Sequence, residues 1–190
     1  MSMSSDCCVF TIVSRNYLHF AVNLMDSVAE FMPSARRVVG ICDSIDGIPT
    51  DDLQFEIVGI EQLGIPHLDR LLYQYTILEL NTAIKPFVFS HLMKTGSADK
   101  VVYFDPDIQL FSSGDRLLSC LDQANIVLTP HLTDFIDDDR HPSEVSIMQS
   151  GTYNLGFLAL KRSESATKLL AWWQERLSHY CVVDIENGLF

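Results

Sequence analysis

This chain of 190 residues predicts an α/β fold, a mainly parallel sheet with helices on both faces. Three observations carry that prediction. Strand-length apolar runs alternate with longer stretches of helical period. The strand runs are continuously apolar rather than alternating, which is the pattern of strands buried on both faces. One of them, Val101 to Phe104, stops abruptly at Asp105-Pro106-Asp107, as a strand does where it leaves the edge of a sheet.

Taken in order, residues 8–14 (Cys-Val-Phe-Thr-Ile-Val-Ser) form the first predicted strand. Asn16 is placed as the N-cap of a helix whose apolar face runs Val22, Met25, Ala29 and Met32, and Pro33 closes it. Residues 37–42 give a second strand, 43–52 a polar loop with a turn at Asp46-Gly47, and 55–60 a short third strand. Two helices are expected over 68–80 and 82–94, joined near Asn81, with Pro86 in a first turn where proline is tolerated. The strand 100–104 follows, then a helix over 115–123 and strands over 125–129 and 153–160. A last helix starts at Ser163 and places Ala166, Leu169, Leu170, Trp173 and Leu177 inward, with Trp172 at its rim. No linker or repeat divides the chain, so residues 1–190 read as one domain.

Composition narrows the function. Twenty-five acidic residues against thirteen basic ones give a formal charge of −12, which disfavours nucleic acid and anionic membranes as partners. An acidic protein that handles phosphates needs a cation as intermediary. The five cysteines, Cys7, Cys8, Cys42, Cys120 and Cys181, are odd in number and show no zinc-binding spacing. They read as free thiols, and a reducing cytoplasm is the expected location. The first residues lack the features of a signal peptide, and no stretch approaches the roughly 20 apolar residues of a transmembrane helix.

Asp105 and Asp107 carry the sharpest signal. Ligands of open α/β sheets bind outside the carboxyl ends of the strands. Two hard oxygen ligands at such an end suit Mg²⁺ or Mn²⁺, which are held by one or two carboxylates together with substrate phosphates. The expected ligand is a diphosphate clamped by the metal. A solvated turn is the competing account of any Asp-x-Asp, and it is the one adopted for Asp137 and Asp139, which sit in a polar stretch between Phe135 and Pro142.

Four further segments have a functional and a plain reading. Tyr17, in Thr11-Ile-Val-Ser-Arg-Asn-Tyr17, either carries a ligand's base or packs on the next turn. Lys85 stands among Ala83, Ile84, Phe87 and Val88, so its ammonium must face a phosphate or a carboxylate such as Glu79 or an Asp. His131, in Thr129-Pro-His131, either binds substrate or metal or is a hydrogen-bonded structural residue. Asn154 and Gly156 open a strand, where glycine marks either close approach of a ligand or a bulge.

In this order the segments resemble a known family. Strand plus Asn-Tyr, Lys-Pro on a helix, Val-Val-Tyr-Phe-Asp-Pro-Asp, Thr-Pro-His, Tyr-Asn-Leu-Gly-Phe and Trp-Trp look like a GT-A-fold glycosyltransferase of a bacterial group related to family 8, the glycogenin-like enzymes. The resemblance covers about residues 9–190. It implies a Rossmann-like GT-A sheet, a nucleotide-sugar donor that is usually UDP-linked, Mn²⁺ or Mg²⁺ as cofactor, and a glycan as acceptor. Asp105 and Asp107 would then bind the metal, Thr11 and Tyr17 would fall at the nucleoside, Lys85 near the diphosphate or donor sugar, and Asn154 and Gly156 along the donor sugar or acceptor. In such sequences Gly-Leu-Phe is followed by Asp-Gln and further acidic or His positions, whereas this chain stops at Phe190. The expectation is a domain lacking its C-terminal part, with weak or absent turnover and an apolar surface that favours self-association. Two rivals stand beside it: a phosphatase of the haloacid-dehalogenase type, and a domain that binds nucleotide-sugar or a protein partner without turnover.

Overall fold

Seven consecutive buried residues, Cys7–Val13, form strand β1 at the middle of the sheet. The computed structural model describes residues 6–50, 52–135, 140–149 and 151–184. The Asp137 and Asp139 reading and the terminal Gly188-Leu189-Phe190 fall outside the described residues. β2 (Arg36–Ile41) and β4 (Lys100–Phe104) flank β1, and β3 (Glu56–Gly59) pairs with β2, all three pairings being parallel. Two more strands, β5 (Ile126–Pro130) and β6 (Tyr153–Lys161), complete a six-stranded sheet of order β3-β2-β1-β4-β6-β5. β6 runs antiparallel to both β4 and β5. Its first residues therefore arrive at the same sheet edge as the last residues of β1, β2, β4 and β5.

Helices cover both faces. α1 (Leu18–Phe31) and α5 (Asp115–Gln123) pack on one side, where Leu24, Met25, Val28 and Leu121 bury against Val9, Val39 and Val102. The other side carries α2 (Leu68–Gln74), α3 (Ile77–Ala83), α4 (Lys85–Thr95) and α7 (Glu164–Tyr180), closing over Phe10, Ile12 and Tyr103. α7 begins as expected, with the Ser163 hydroxyl accepting from the Ala166 N–H at 3.2 Å. A short α6 (Glu144–Gln149) had no sequence signal, and none of its residues is buried. Among the described residues no helix is long and apolar enough to cross a membrane.

Four details depart from the sequence reading. α1 turns Ala21, Leu24, Met25 and Val28 inward, while Val22 and Ala29 are only partly covered. Two overlapping apolar stripes run along this helix, and contact with the sheet selects one of them. Asn16 does not cap it: its Oδ1 accepts from Ser14 Oγ at 2.6 Å, and Tyr17 holds the cap position without a side-chain bond. The expected helix over 68–80 is broken at Tyr75, which is extended. Thr76 and Glu79 form a reciprocal capping box there, with the Thr76 N–H donating to Glu79 Oε2 at 2.8 Å. α3 and α4 then meet at Ile84 rather than Asn81.

Glu79 also accepts the Val183 N–H at 2.7 Å through Oε1, tying the segment after α7 to α3. These bonds, with Val183 and then Thr76 as the principal donors, hold its carboxyl below the usual carboxylate range. A lowered folded pKa stabilises the fold above the ordinary value of 4.5, and the contribution is lost as pH falls through the folded value. The expected result is that Glu79→Gln flattens the decline of the thermal midpoint below pH 4.5, measured by circular dichroism. An unchanged acid limb would exclude this contribution.

None of the five cysteines is in a disulfide, and four of the five are buried. Burial pushes the thiols of Cys7, Cys8 and Cys42 up to about 12, and that of Cys181 to about 11. Cys120 alone is exposed. A disulfide reagent at mildly alkaline pH should therefore find one fast-reacting thiol in the native protein and five after denaturation. Several fast thiols would contradict this packing.

Candidate active site

Three pieces of chain wall a cleft of about 530 Å³ at the carboxyl edge of the sheet. The end of β1 supplies Ile12, Val13 and Ser14, the turn after it supplies Tyr17, and the first turn of α1 supplies Phe20. That turn is fixed from behind, because the Arg15 N–H donates to the Asp43 carboxylate at 2.9 Å. α3 faces it with Ile77, Leu78, Asn81 and Thr82, a one-sided helical spacing that leads to Lys85. The floor is Tyr103, Asp105 and Pro106, and Asp107 continues it to the lip.

Asp105 is held through its backbone and its Oδ1. Its N–H donates to Gly156 O at 2.8 Å, continuing the β4–β6 ladder past Phe104. The Tyr103 hydroxyl donates to its Oδ1, and Lys85 Nζ lies 3.3 Å from the same oxygen. Its Oδ2 faces Gly156, where an added Cβ would come to 3.1 Å. Any larger residue at 156 would press on the carboxylate, so the glycine serves close approach. Asn154 Oδ1 accepts the Gly156 N–H at 2.8 Å and shapes the same turn. Gly156 lies in the stretch of β6 where the β5–β6 register shifts. The plain reading of that glycine, a bulge, therefore holds, and the group that approaches it closely in the structure is the Asp105 carboxylate.

Lys85 is one of the few buried charged side chains. Besides Asp105 it donates to Leu155 O at 3.4 Å, and its ammonium stands 4.6 Å over the Tyr103 ring. It starts α4, so its charge adds to the positive end of an eleven-residue helix. Lys85 is the lone cation among the described residues lining the cleft, and an anion there meets both fields. The carboxylate predicted for it is Asp105, not Glu79. Tyr103 is buried, and desolvation followed by the Asp105 charge raises its phenol well above the ordinary range, so it stays protonated and acts as donor.

Most predicted positions converge here. Tyr17 is half exposed at the mouth, its ring stacked on Phe20 with centroids 5.6 Å apart. Asp107 is exposed at the lip. Thr11 departs from the expectation: its side chain is wholly buried within the sheet, and Ile12 to Ser14 line the cleft instead. Thr11 lies inside the β1–β2 ladder, short of the end of the strand past which the cleft opens. His131 also stays out of the cleft wall, its Nδ1 lying 2.8 Å from Gly151 O, as a hydrogen-bonded structural residue would. Sequence reasoning passed over Tyr103 and the α3 face. Signals existed for both: a polar-tipped ring two positions before Asp105 on one strand face, and the 77, 78, 81, 82, 85 spacing.

The residues present fit a hard divalent cation in one respect. Asp105 is already oriented, and Asp107 beside it is exposed. Among the described residues no cluster of three or more His, Cys, Asp or Glu exists, so phosphate and water oxygens would complete the coordination.

The six-stranded, mostly parallel sheet with its antiparallel β6 and helices on both faces is an α/β fold of the GT-A type. Three solved glycosyltransferase structures share it. The galactosyltransferase LgtC, solved with donor and acceptor sugar analogs, superposes with a TM-score of 0.57 at 14% identity, over 95% of this chain and 69% of that one. GlyE of Streptococcus pneumoniae gives 0.54 at 14% identity over 90% and 37%. The mannosyltransferase Ktr4p of S. cerevisiae gives 0.53 at 10% identity over 91% and 61%. This chain therefore spans about two thirds of LgtC and little more than a third of GlyE, and the likeness is one of fold. No family model and no curated protein sequence matches the chain.

Proposed function

We propose that this chain is the donor-binding domain of a metal-dependent glycosyltransferase that takes a UDP-linked sugar and passes it to a glycan acceptor. The observation that supports this best is Asp105, fixed at the cleft floor between Lys85, Tyr103 and Gly156 with Asp107 beside it. In this reading the base lies on Tyr17 and the diphosphate against Lys85 and the positive end of α4. Asp105 and Asp107 hold Mn²⁺ or Mg²⁺, which supplies neutralisation of charge on the departing diphosphate. Lys85 adds a fixed charge to the same oxygens, and the Asn154–Gly156 stretch beside Asp105 would face the donor sugar or acceptor.

The test is calorimetric titration of the whole chain with UDP and with GDP, each with and without Mn²⁺. Micromolar binding of UDP that strengthens with Mn²⁺ supports the reading. Absence of nucleotide binding by the folded protein overturns it, and equal binding of GDP overturns the assignment of the base.

A further inference from the structure

We infer that Tyr103 is the positioning residue of this site, its hydroxyl aiming Asp105 and its ring face seating Lys85. This role rests on the donor-site reading above. The geometry is that of one rigid group serving two charges. The hydroxyl meets Asp105 Oδ1, two residues on and just past the end of β4, and the ammonium of Lys85 stands 4.6 Å above the ring. Behind the ring lies Phe10, with centroids 5.2 Å apart, and behind that Phe89 at 4.7 Å, edge to face. Tyr103, Phe10 and Phe89 are all buried, so the ring has little freedom to move.

The consequence concerns which oxygen is available. Tyr103 and Lys85 both occupy Oδ1, which leaves Oδ2, beside Gly156, as the oxygen presented to a ligand. Without the hydroxyl the carboxylate can rotate about its last torsion, which is broad. It then offers either oxygen, or collapses further onto Lys85. Tyr103 does not touch the reacting atoms in this account; it acts through Asp105 and Lys85.

Two variants separate its two contacts. Tyr103→Phe removes the hydroxyl and keeps the ring. Outer-shell partners of metal ligands commonly set about 10- to 100-fold in metal affinity. The expected result is a loss of that order in Mn²⁺ affinity, read from the free Mn²⁺ paramagnetic resonance signal with UDP present. UDP binding without metal should stay within about twofold, because Lys85 keeps its seat on the ring. Tyr103→Leu removes both contacts and should weaken UDP binding without metal as well. Wild-type Mn²⁺ affinity in folded Tyr103→Phe would overturn the inference.

A cycle of thermal midpoints with Tyr103→Phe, Asp105→Ala and the double variant tests the contact with no ligand at all. Tyr103→Phe should lower the midpoint in wild type and leave it unchanged in Asp105→Ala. Equal shifts in both backgrounds would show that Tyr103 does not hold Asp105, and the inference falls. If the cycle shows coupling while wild type binds neither Mn²⁺ nor UDP, the donor-site reading fails instead and takes the proposed role with it.

Discussion

Asp105→Ala and Asp107→Ala should each lower Mn²⁺-dependent UDP affinity by on the order of 100-fold or more, since even outer-shell partners of metal ligands set 10 to 100-fold. Asp105 should be the more damaging of the two. Its carboxylate is already oriented by Tyr103, Lys85 and the β6 backbone, so a ligand meets it without further ordering. Asp107 is exposed in the turn and must be ordered on binding. The Asp105 change has a second effect, because it removes the partner of a buried ammonium. That ion pair is worth only a fraction of a buried one, since the Asp105 side chain is 38% exposed. Calorimetry with and without Mn²⁺ checks the binding, and a melting curve checks that both variants fold. Variants that bind UDP and Mn²⁺ as wild type does would reduce the Asp pair to a solvated turn.

Phe10→Ala should have the largest effect on stability, a loss of about 3–5 kcal/mol as for other buried aromatic-to-alanine changes. Phe10 is inaccessible to solvent at the centre of β1 and lies between Phe89 and Tyr103. A domain of ordinary stability has about 5–15 kcal/mol in all. For its size class the loss corresponds to a midpoint lowered by about 6–20 °C. Urea denaturation measures it directly, with Phe10→Leu as a milder control. A loss below about 1 kcal/mol would mean that the site collapses around the gap rather than depending on the ring. Because the same ring backs Tyr103, the folded fraction of Phe10→Ala should also bind UDP more weakly.

Much of this architecture was legible in the chain. Strands such as 100–104 and 153–160 are read within a residue of their observed bounds because their buried positions other than Lys100 are apolar and the residues flanking them are polar. α7 was equally clear, since one stripe of apolar residues runs its length and Ser163 caps it. Where two stripes competed, as on α1, local pattern could not choose. Nor could it see that Thr76 and Glu79, both tolerable inside a helix, would together stop one helix and start another.

The sequence by itself determined the α/β class, the strand that ends in the Asp pair, and the need of Lys85 for an anionic partner. Those follow from local rules: burial demands apolar runs, an abrupt carboxylate marks an edge, and a cation among apolar residues must be paired. Only the tertiary structure decided that the partner is Asp105, twenty residues away, and that Tyr103 and Gly156 complete the grip on it. The reason is the direction of β6. Antiparallel pairing with β4 turns its first residues back to the edge where Asp105 emerges, and strand direction is set by how the layers pack, a long-range property that no window of sequence contains.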